Sequence, residues 1–361
     1  MWIIRSERGS VKINIILMKR LLIMSAYFLL SLAVSAHPWK PSHYVIVDTD
    51  GGIDDIRTIS MLLASPDVRL LAVTVSNGAL PADKAFIKVK SLLNSFHHEG
   101  IPVGINRLGS FRSPEFPAAL NARWGDEEGI DPSSAGNSND IISEIIRVEK
   151  TKLSFICLGS MSTALNALRN IPEFGNQVKD FIWSADGADD KTGFNYNIDA
   201  KSSVSMLKQE IPVKIVRKYM LNNSVFWDNE LTEAVKAINT RYAKAAGSVS
   251  DFSESHRFAL EANDEMTALF LHYPELFICK TLGNVTDCIP SDPAGLRENT
   301  LKILKGETVP RNQVIKEFSA DPDFYFDDLS GSVTAIIEKH GIDEFSSSVI
   351  SNELHRHLGV F

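Results

Sequence analysis

Four aspartates lie within eight residues near the start of the chain, and their spacing suggests metal-assisted chemistry. They are Asp48, Asp50, Asp54 and Asp55, and an apolar run precedes them. Carboxylates this close repel one another, so an ionised cluster needs a compensating charge, for which a hard divalent cation is the usual choice. The cluster therefore predicts a metal or catalytic site. The alternative is that Asp54 and Asp55 only cap a helix and offset its dipole.

The residues around the cluster predict a strand that ends at the acids and a helix that begins with them. Ile56, Ile59 and Leu62 recur at helical spacing after a Gly-Gly pair that permits a tight turn. In open α/β sheets, ligands bind in the crevice at the carboxyl ends of the strands. We therefore expect the acids to line such a crevice.

Strand-like and helical patterns alternate along the chain. The strand-like runs cover residues 44–48, 68–75, 101–104, 153–158, 180–185 and 213–216, and the helical patterns cover 54–64, 83–96, 140–149, 161–169, 201–209 and 253–272. This alternation predicts an α/β fold with a mainly parallel central sheet and helices on both faces, a Rossmann-like open sheet. Residues 105–139 form a long polar stretch of the kind that often makes a functional lid.

The first 36 residues have the pattern of a secretory signal. A short basic start at Met18 leads into an apolar run over 21–34, and Val34-Ser35-Ala36 is a small-residue cleavage site. We therefore expect residues 1–36 to be an N-terminal extension and signal peptide and residues 37–361 to be one domain that is secreted or periplasmic. An uncleaved N-terminal anchor is the alternative.

Charge and cysteine content narrow the classes of partner. The net charge is −8, and loss of the basic N-terminal segment makes the rest more acidic, which argues against nucleic acid or anionic membranes as partners. Of the three cysteines, Cys157 lies in an apolar strand and is expected to be a buried thiol. Cys279 and Cys288 could pair in an oxidising compartment or stay free. No spacing of cysteine and histidine suggests zinc.

The opening motif resembles that of the inosine–uridine-preferring nucleoside hydrolases, which begin with a strand and an Asp-x-Asp-Pro-Gly-x-Asp-Asp loop. Gly51 stands where that family usually has proline. Four later segments, residues 70–74, 158–165, 194–199 and 263–269, resemble the family's second strand, its Gly-x-Leu-Thr-Asn turn, its Glu-Phe-Asn segment and its His-Asp-Pro helix start. They occur in the family's order and spacing.

The resemblance implies a nucleoside-hydrolase-like fold and a Ca²⁺ ion held by Asp50, Asp55, Asp264 and the Leu158 carbonyl. The implied reaction is hydrolysis of the N-glycosidic bond in nucleosides or related ribosides, with metal-bound water attacking C1′ and Asp50 as its base. The partner would be such a small molecule, with no stable membrane insertion after signal cleavage, and homo-oligomer formation stays open.

The same resemblance implies substrate contacts, several of which are changed here. Asp54 would bind ribose hydroxyls and Asn195 would contact the sugar. The family's ribose-binding glutamate is replaced by Gly193, and its leaving-group histidine by Asn263. The metal half of the site is thus retained while the substrate half is altered.

Two further substrate candidates also depart from the family. The family asparagine after the second strand is displaced by two positions, which gives Asn77. Trp124 stands in place of a loop histidine, and could stack on a planar group or pack on the domain.

Two residues offer alternatives within the resemblance. His256 lies eight residues before Asp264 and could replace the missing leaving-group acid. Asp292 is a rival for the late metal-binding aspartate, and Asp264 is preferred because an apolar helical pattern follows it.

Two other function classes compete. Haloacid-dehalogenase-like phosphatases also begin with a strand and Asp-x-Asp-Gly and use the first aspartate as a nucleophile with Mg²⁺. Against them, Gly52 replaces the expected threonine or valine, and Asp264 would have no role. A non-catalytic secreted protein that keeps Ca²⁺ to bind a sugar or nucleoside is the other class, suggested by the missing glutamate and histidine.

Overall fold

The computed structural model describes residues 40–109, 116–186, 193–219, 226–249 and 262–308. In this part of the chain, nine strands form one sheet in the order β4-β3-β2-β1-β5-β6-β7-β9-β8. They are β1 (His43–Thr49), β2 (Val68–Val75), β3 (Val103–Ile105), β4 (Gly136–Asn137), β5 (Leu153–Cys157), β6 (Val178–Ser184), β7 (Val213–Val216), β8 (Phe277–Leu282) and β9 (Val285–Pro290). All neighbouring pairs are parallel except β8–β9. The predicted α/β fold is confirmed.

The order of the strands creates a switch point at β1. From β1 the chain adds β2, β3 and β4 on one side, and then returns to add β5 against the other side of β1. At such a point the connections leave the sheet in opposite directions and open a crevice at the carboxyl ends of the strands. The acid cluster follows β1 directly and therefore lies at this crevice.

Helices cover both faces of the sheet. They are α1 (Ile53–Ala64), α2 (Ala82–Ser95), α3 (Pro117–Asn121), α4 (Ser138–Val148), α5 (Ser162–Asn170), α6 (Phe174–Gln177), α7 (Phe194–Ile198), α8 (Ala200–Leu207), α9 (Asn229–Lys236), α10 (Arg241–Ser248), α11 (Glu265–His272) and α12 (Pro293–Lys305). Alternate residues of β1 serve two cores, because Val45 and Val47 pack in one apolar cluster and Tyr44 and Ile46 in the other.

Some predicted boundaries differ from the structure. The strand predicted over 101–104 is β3, Val103–Ile105, and the polar stretch 105–139 contains α3 and a turn of 3₁₀ helix at Pro132–Ser134. Of the helix predicted over 253–272, residues 253–261 lie outside the described residues, and the rest contains α11, Glu265–His272. His256 and the predicted signal peptide lie outside the described residues, so the division of the chain at residue 36 stays a prediction. The described helices include none that combines the length and the hydrophobicity of a membrane span.

Strands β8 and β9 form an antiparallel hairpin at one edge of the sheet, and this hairpin decides whether Cys279 and Cys288 pair. Cys279 and Cys288 lie directly opposite each other on β8 and β9 and form a disulfide. Cys157 is a free, buried thiol, as predicted.

We expect removal of this disulfide to lower the free energy of unfolding by about 2–3 kcal/mol, because it closes a loop of roughly ten residues in the unfolded chain. Urea denaturation of the Cys279→Ser/Cys288→Ser variant measures the effect. Wild-type protein in reductant should match the variant, and reductant should leave the variant unchanged. Equal stability of oxidised and reduced wild type would contradict the expectation.

Candidate functional site

Acidic residues from three separate segments meet at the carboxyl end of β1. Asp50 follows the strand, Asp54 and Asp55 lie in the first turn of α1, and Asp264 is the residue before α11. Oxygen atoms of Asp54, Asp55 and Asp264 lie within 4.8 Å of one another. The capping alternative concerns Asp54 and Asp55 alone, and it does not explain why Asp264 from another segment joins them.

Gly52 marks the point on which the carboxylates converge. A Cβ atom at this position would lie 2.6 Å from Asp55 Oδ2, 2.8 Å from Asp54 Oδ1 and 3.7 Å from Asp50 Oδ1. Any side chain here would therefore fill the space that these oxygens share.

The Asp50 side chain is enclosed by backbone. It is only 3% exposed, and a Cβ atom at Gly78 would lie 2.1 Å from Asp50 Oδ2 while one at Gly159 would lie 2.8 Å from Asp50 Cβ. Backbone N–H groups of Gly52 and Ala79 donate hydrogen bonds to its carboxylate. The sequence alone does not predict that Gly78 and Gly159 belong to the site. Only their positions just after β2 and β5 suggest that the backbone approaches another group closely there.

Burial and mutual repulsion raise the pKa values of the cluster. Desolvation, followed by the charge of Asp54, raises the pKa of Asp50 to about 7. Desolvation, with the charges of neighbouring aspartates, raises the pKa values of Asp55 and Asp264 well above their usual range. A cluster of this kind holds protons unless a cation takes their place.

Several oxygens at the site have no partner. Within the described residues, the buried atoms Asp50 Oδ2, Asp55 Oδ2 and Asn263 Oδ1 make no hydrogen bond. Most buried polar atoms in proteins are hydrogen-bonded, and an exception calls for an explanation such as an ion. Uncharged and anionic oxygens are the ligands that hard cations prefer, so the residues present fit a divalent cation.

Asp48 takes a different role from its neighbours. It is fully buried and accepts hydrogen bonds from Thr74 Oγ1 at 2.6 Å and Ser76 Oγ at 3.0 Å. Desolvation raises its pKa to about 7, despite these hydroxyls. Both oxygens are occupied in joining β1 to β2, which counts against the phosphatase alternative, since that mechanism needs Asp48 as an accessible nucleophile.

A comparison with protein families matches this chain over residues 45–322 to the inosine-uridine preferring nucleoside hydrolases. The chain belongs to this family. The resemblance seen in the sequence is confirmed.

Curated relatives are distant. An uncharacterized protein of Schizosaccharomyces pombe is 27% identical over 184 residues, which are 47% of this chain and 59% of that protein. A pyrimidine-specific ribonucleoside hydrolase of Shewanella sp. (strain ANA-3) is 25% identical over 225 residues, 58% of this chain and 70% of that protein. The chain therefore spans well under the full length of these relatives.

Solved nucleoside hydrolases share the fold. A plant nucleoside hydrolase aligns with 73% of this chain and 99% of its own, with a TM-score of 0.62 and 16% identity. A purine-preferring ribonucleoside hydrolase from Gardnerella vaginalis aligns with a TM-score of 0.59 and 14% identity, over 73% of this chain and 98% of its own. At this identity the likeness shows the fold alone.

Two predicted substrate residues lie beside the predicted metal ligands. Asn195 Nδ2 donates to the Leu158 carbonyl at 2.7 Å and to the Ser184 carbonyl at 3.0 Å. Asn263 Nδ2 donates to Asp54 Oδ2 at 3.1 Å. The structure therefore brings Asn195 to Leu158 and Asn263 to the acid cluster, as the motif spacing predicts.

Two others are placed differently. Asn77 Oδ1 accepts from the Ala82 N–H at 3.0 Å and so holds the start of α2. Trp124 is 2% exposed and packs in the apolar core. This packing agrees with the alternative role of Trp124 in the core, and contact of its ring with substrate stays a prediction.

The departures from the nucleoside hydrolase motif have local explanations. Gly51 has a φ of 84°, which proline cannot adopt, so the loop follows a path that excludes the family residue. The space beside Gly193 is filled by Asp186, whose Oδ2 lies 2.8 Å from where a Cβ atom would be. Asp292 accepts from the Gly295 N–H at 3.0 Å and caps α12, which leaves Asp264 as the late aspartate of the cluster.

Proposed function

We propose that this protein is a Ca²⁺-dependent enzyme that hydrolyses the N-glycosidic bond of nucleosides or related ribosides. The observation that carries the proposal is the convergence of Asp50, Asp54, Asp55 and Asp264 on one space, with oxygens of Asp50 and Asp55 left without partners. Membership of the nucleoside hydrolase family supports the class of reaction.

The donor set favours Ca²⁺ among hard cations. Asp50, Asp55, Asp264 and the Leu158 carbonyl are the proposed ligands, all of them oxygen. Ca²⁺ accepts six to eight oxygens from carboxylates and carbonyls, whereas Mg²⁺ usually keeps several waters and uses one or two carboxylates. When bound, the ion would neutralise the cluster and acidify a water.

The chain's own residues have separate roles in the proposed reaction. Asp50 would accept a proton from the attacking water at Oδ2, the oxygen that has no hydrogen bond. Asp54 would bind sugar hydroxyls, and Asn263 holds its carboxylate in place. Cleavage at C1′ passes through a state with oxocarbenium character, which fixed carboxylates stabilise electrostatically.

The metal assignment is tested by Asp55→Ala. We expect this change to lower Ca²⁺ affinity at least about a hundredfold, because it removes an anionic ligand from a buried hard-cation site. Calorimetry on chelator-stripped protein measures the affinity. Asp83→Ala is a matched control, since Asp83 is also in the first turn of a helix but is exposed at α2. Unchanged affinity in Asp55→Ala would refute the assignment.

A non-catalytic binder remains the second candidate, because Asn263 occupies the position at which the family has a proton donor. Turnover separates the two candidates. Cleavage of any riboside by purified protein supports the enzyme, while Ca²⁺ binding without cleavage of any riboside supports the binder. We also propose export to a secreted or periplasmic location, which the signal-like N-terminus supports and with which a disulfide is compatible.

A further inference from the structure

A fully buried ion pair lies directly behind the acid cluster. Arg57 Nη1 is 3.1 Å from Glu265 Oε1, and both side chains are 0% exposed. The two residues are 208 positions apart in the sequence. Arg57 belongs to α1, three residues after Asp54, and Glu265 is the first residue of α11, directly after Asp264.

Trp227 completes the arrangement. Its Nε1 donates to the same Glu265 Oε1 at 2.8 Å, and its ring lies under the guanidinium of Arg57 at 4.4 Å from the ring centroid. Trp227 is itself fully buried. The guanidinium is therefore held by a carboxylate at one nitrogen and by an aromatic face, and all three side chains are fully buried.

A buried ion pair is a weak source of stability, because the cost of desolvating both charges offsets most of their attraction. The position of the Arg57–Glu265 pair suggests a role other than stabilising the fold. The pair joins the two helices that carry the acids of the cluster, α1 with Asp54 and Asp55 and α11 with Asp264. The two helices are far apart in the sequence. Because Asp264 is bonded directly to Glu265, a movement of Glu265 also moves Asp264.

We propose that Arg57, Glu265 and Trp227 form a clamp that positions Asp264 against Asp54 and Asp55. All three are positioning residues, and the assignment rests on the proposed metal site. Residues that orient metal ligands from behind typically change metal affinity by ten- to a hundredfold when they are mutated. Loss of the clamp should have an effect of that size.

The charges of the clamp allow positioning to be separated from simple electrostatics. Glu265→Gln removes a negative charge and keeps an oxygen that can accept from Trp227, while Arg57→Met removes a positive charge and keeps an unbranched side chain. If only net charge near the cation mattered, Glu265→Gln would weaken Ca²⁺ binding and Arg57→Met would strengthen it. If the clamp positions Asp264, both variants weaken binding, by about ten- to a hundredfold.

The test is calorimetry of Ca²⁺ binding together with hydrogen exchange of the metal-free protein. We expect both variants to bind Ca²⁺ more weakly, and the amides in the first turn of α11 to exchange at least several-fold faster. Lys88→Met is a matched control, because Lys88 of α2 forms a partly buried pair with Glu127 at 2.7 Å and neither residue belongs to α1 or α11. It should leave both readouts unchanged.

Two results would overturn the clamp. The first is tighter Ca²⁺ binding in Arg57→Met. The second is a lower free energy of unfolding in the variants while Ca²⁺ affinity and hydrogen exchange of α11 stay unchanged, because that result indicates a purely structural ion pair. If Arg57→Met does not fold, Arg57→Lys replaces it, and unchanged affinity and exchange in that variant count against the clamp. If the wild type binds no Ca²⁺, the proposed function is wrong. Hydrogen exchange of α11 in the metal-free protein then decides by itself whether the clamp holds this helix.

Discussion

Asp50→Asn should lower kcat on any riboside that the protein cleaves by about 10²–10⁴-fold, the usual contribution of a general base. The asparagine has nearly the same size, so it fits between Gly78 and Gly159 where a larger side chain would not. Its amide cannot accept the proton that Oδ2 of Asp50 is placed to accept. The change also removes a negative charge from the cluster, so we expect weaker Ca²⁺ binding as well.

The measurement must therefore be made at saturating Ca²⁺, with the Kd of each variant known from calorimetry. Asp83→Asn, an exposed acid at the start of α2, is the matched control and should retain wild-type kcat. Thermal melts check that the variant is folded. A kcat within a few-fold of wild type at full Ca²⁺ occupancy would exclude Asp50 as the base.

The part of the site that the sequence could predict is the part made by local structure. The strand, the Gly-Gly turn and the helix that carries Asp54 and Asp55 are contiguous, so their periodicity is enough to place these acids at the edge of a sheet. Asp264 was identified from the helix that follows it, and the family motif supplied its pairing with the early acids. The sheet order then placed Asp50 at the switch point, as the α/β pattern predicts.

The part that could not be predicted depends on contacts between distant segments. Nothing in the sequence near Trp124 shows that its ring enters the core, because burial of a loop residue is decided by what packs over it. The same holds for Gly78, which follows β2 and needs a bare Cα because Asp50, at the end of β1, packs against it. The pairing of Arg57 with Glu265 joins residues that share no local pattern, and only the packed structure reveals it.

The second large effect concerns the leaving group. Asn263 lies within hydrogen-bond distance of Asp54, at the position where the nucleoside hydrolase family has its proton donor, and an amide cannot act as a general acid. A nucleobase such as hypoxanthine leaves easily only when it is protonated, whereas nitrophenolate leaves without a proton. Because lost general-acid help typically lowers a rate by about 10²–10⁴-fold, we expect kcat/KM for nitrophenyl riboside to exceed that for inosine by about this factor.

Asn263→His tests this explanation directly. The histidine returns a proton donor to this position, and its imidazole N–H can still reach Asp54. We expect the variant to cleave inosine faster than the wild type and to cleave nitrophenyl riboside at a rate within a few-fold of the wild type. Steady-state kinetics on both substrates, with Ca²⁺ saturating, measures the two ratios. Similar rates of wild type on the two substrates would show that the chain supplies an acid from elsewhere. A variant that gains equally on both substrates would show that Asn263 limits binding of the sugar, since the gain would not depend on whether the leaving group needs a proton.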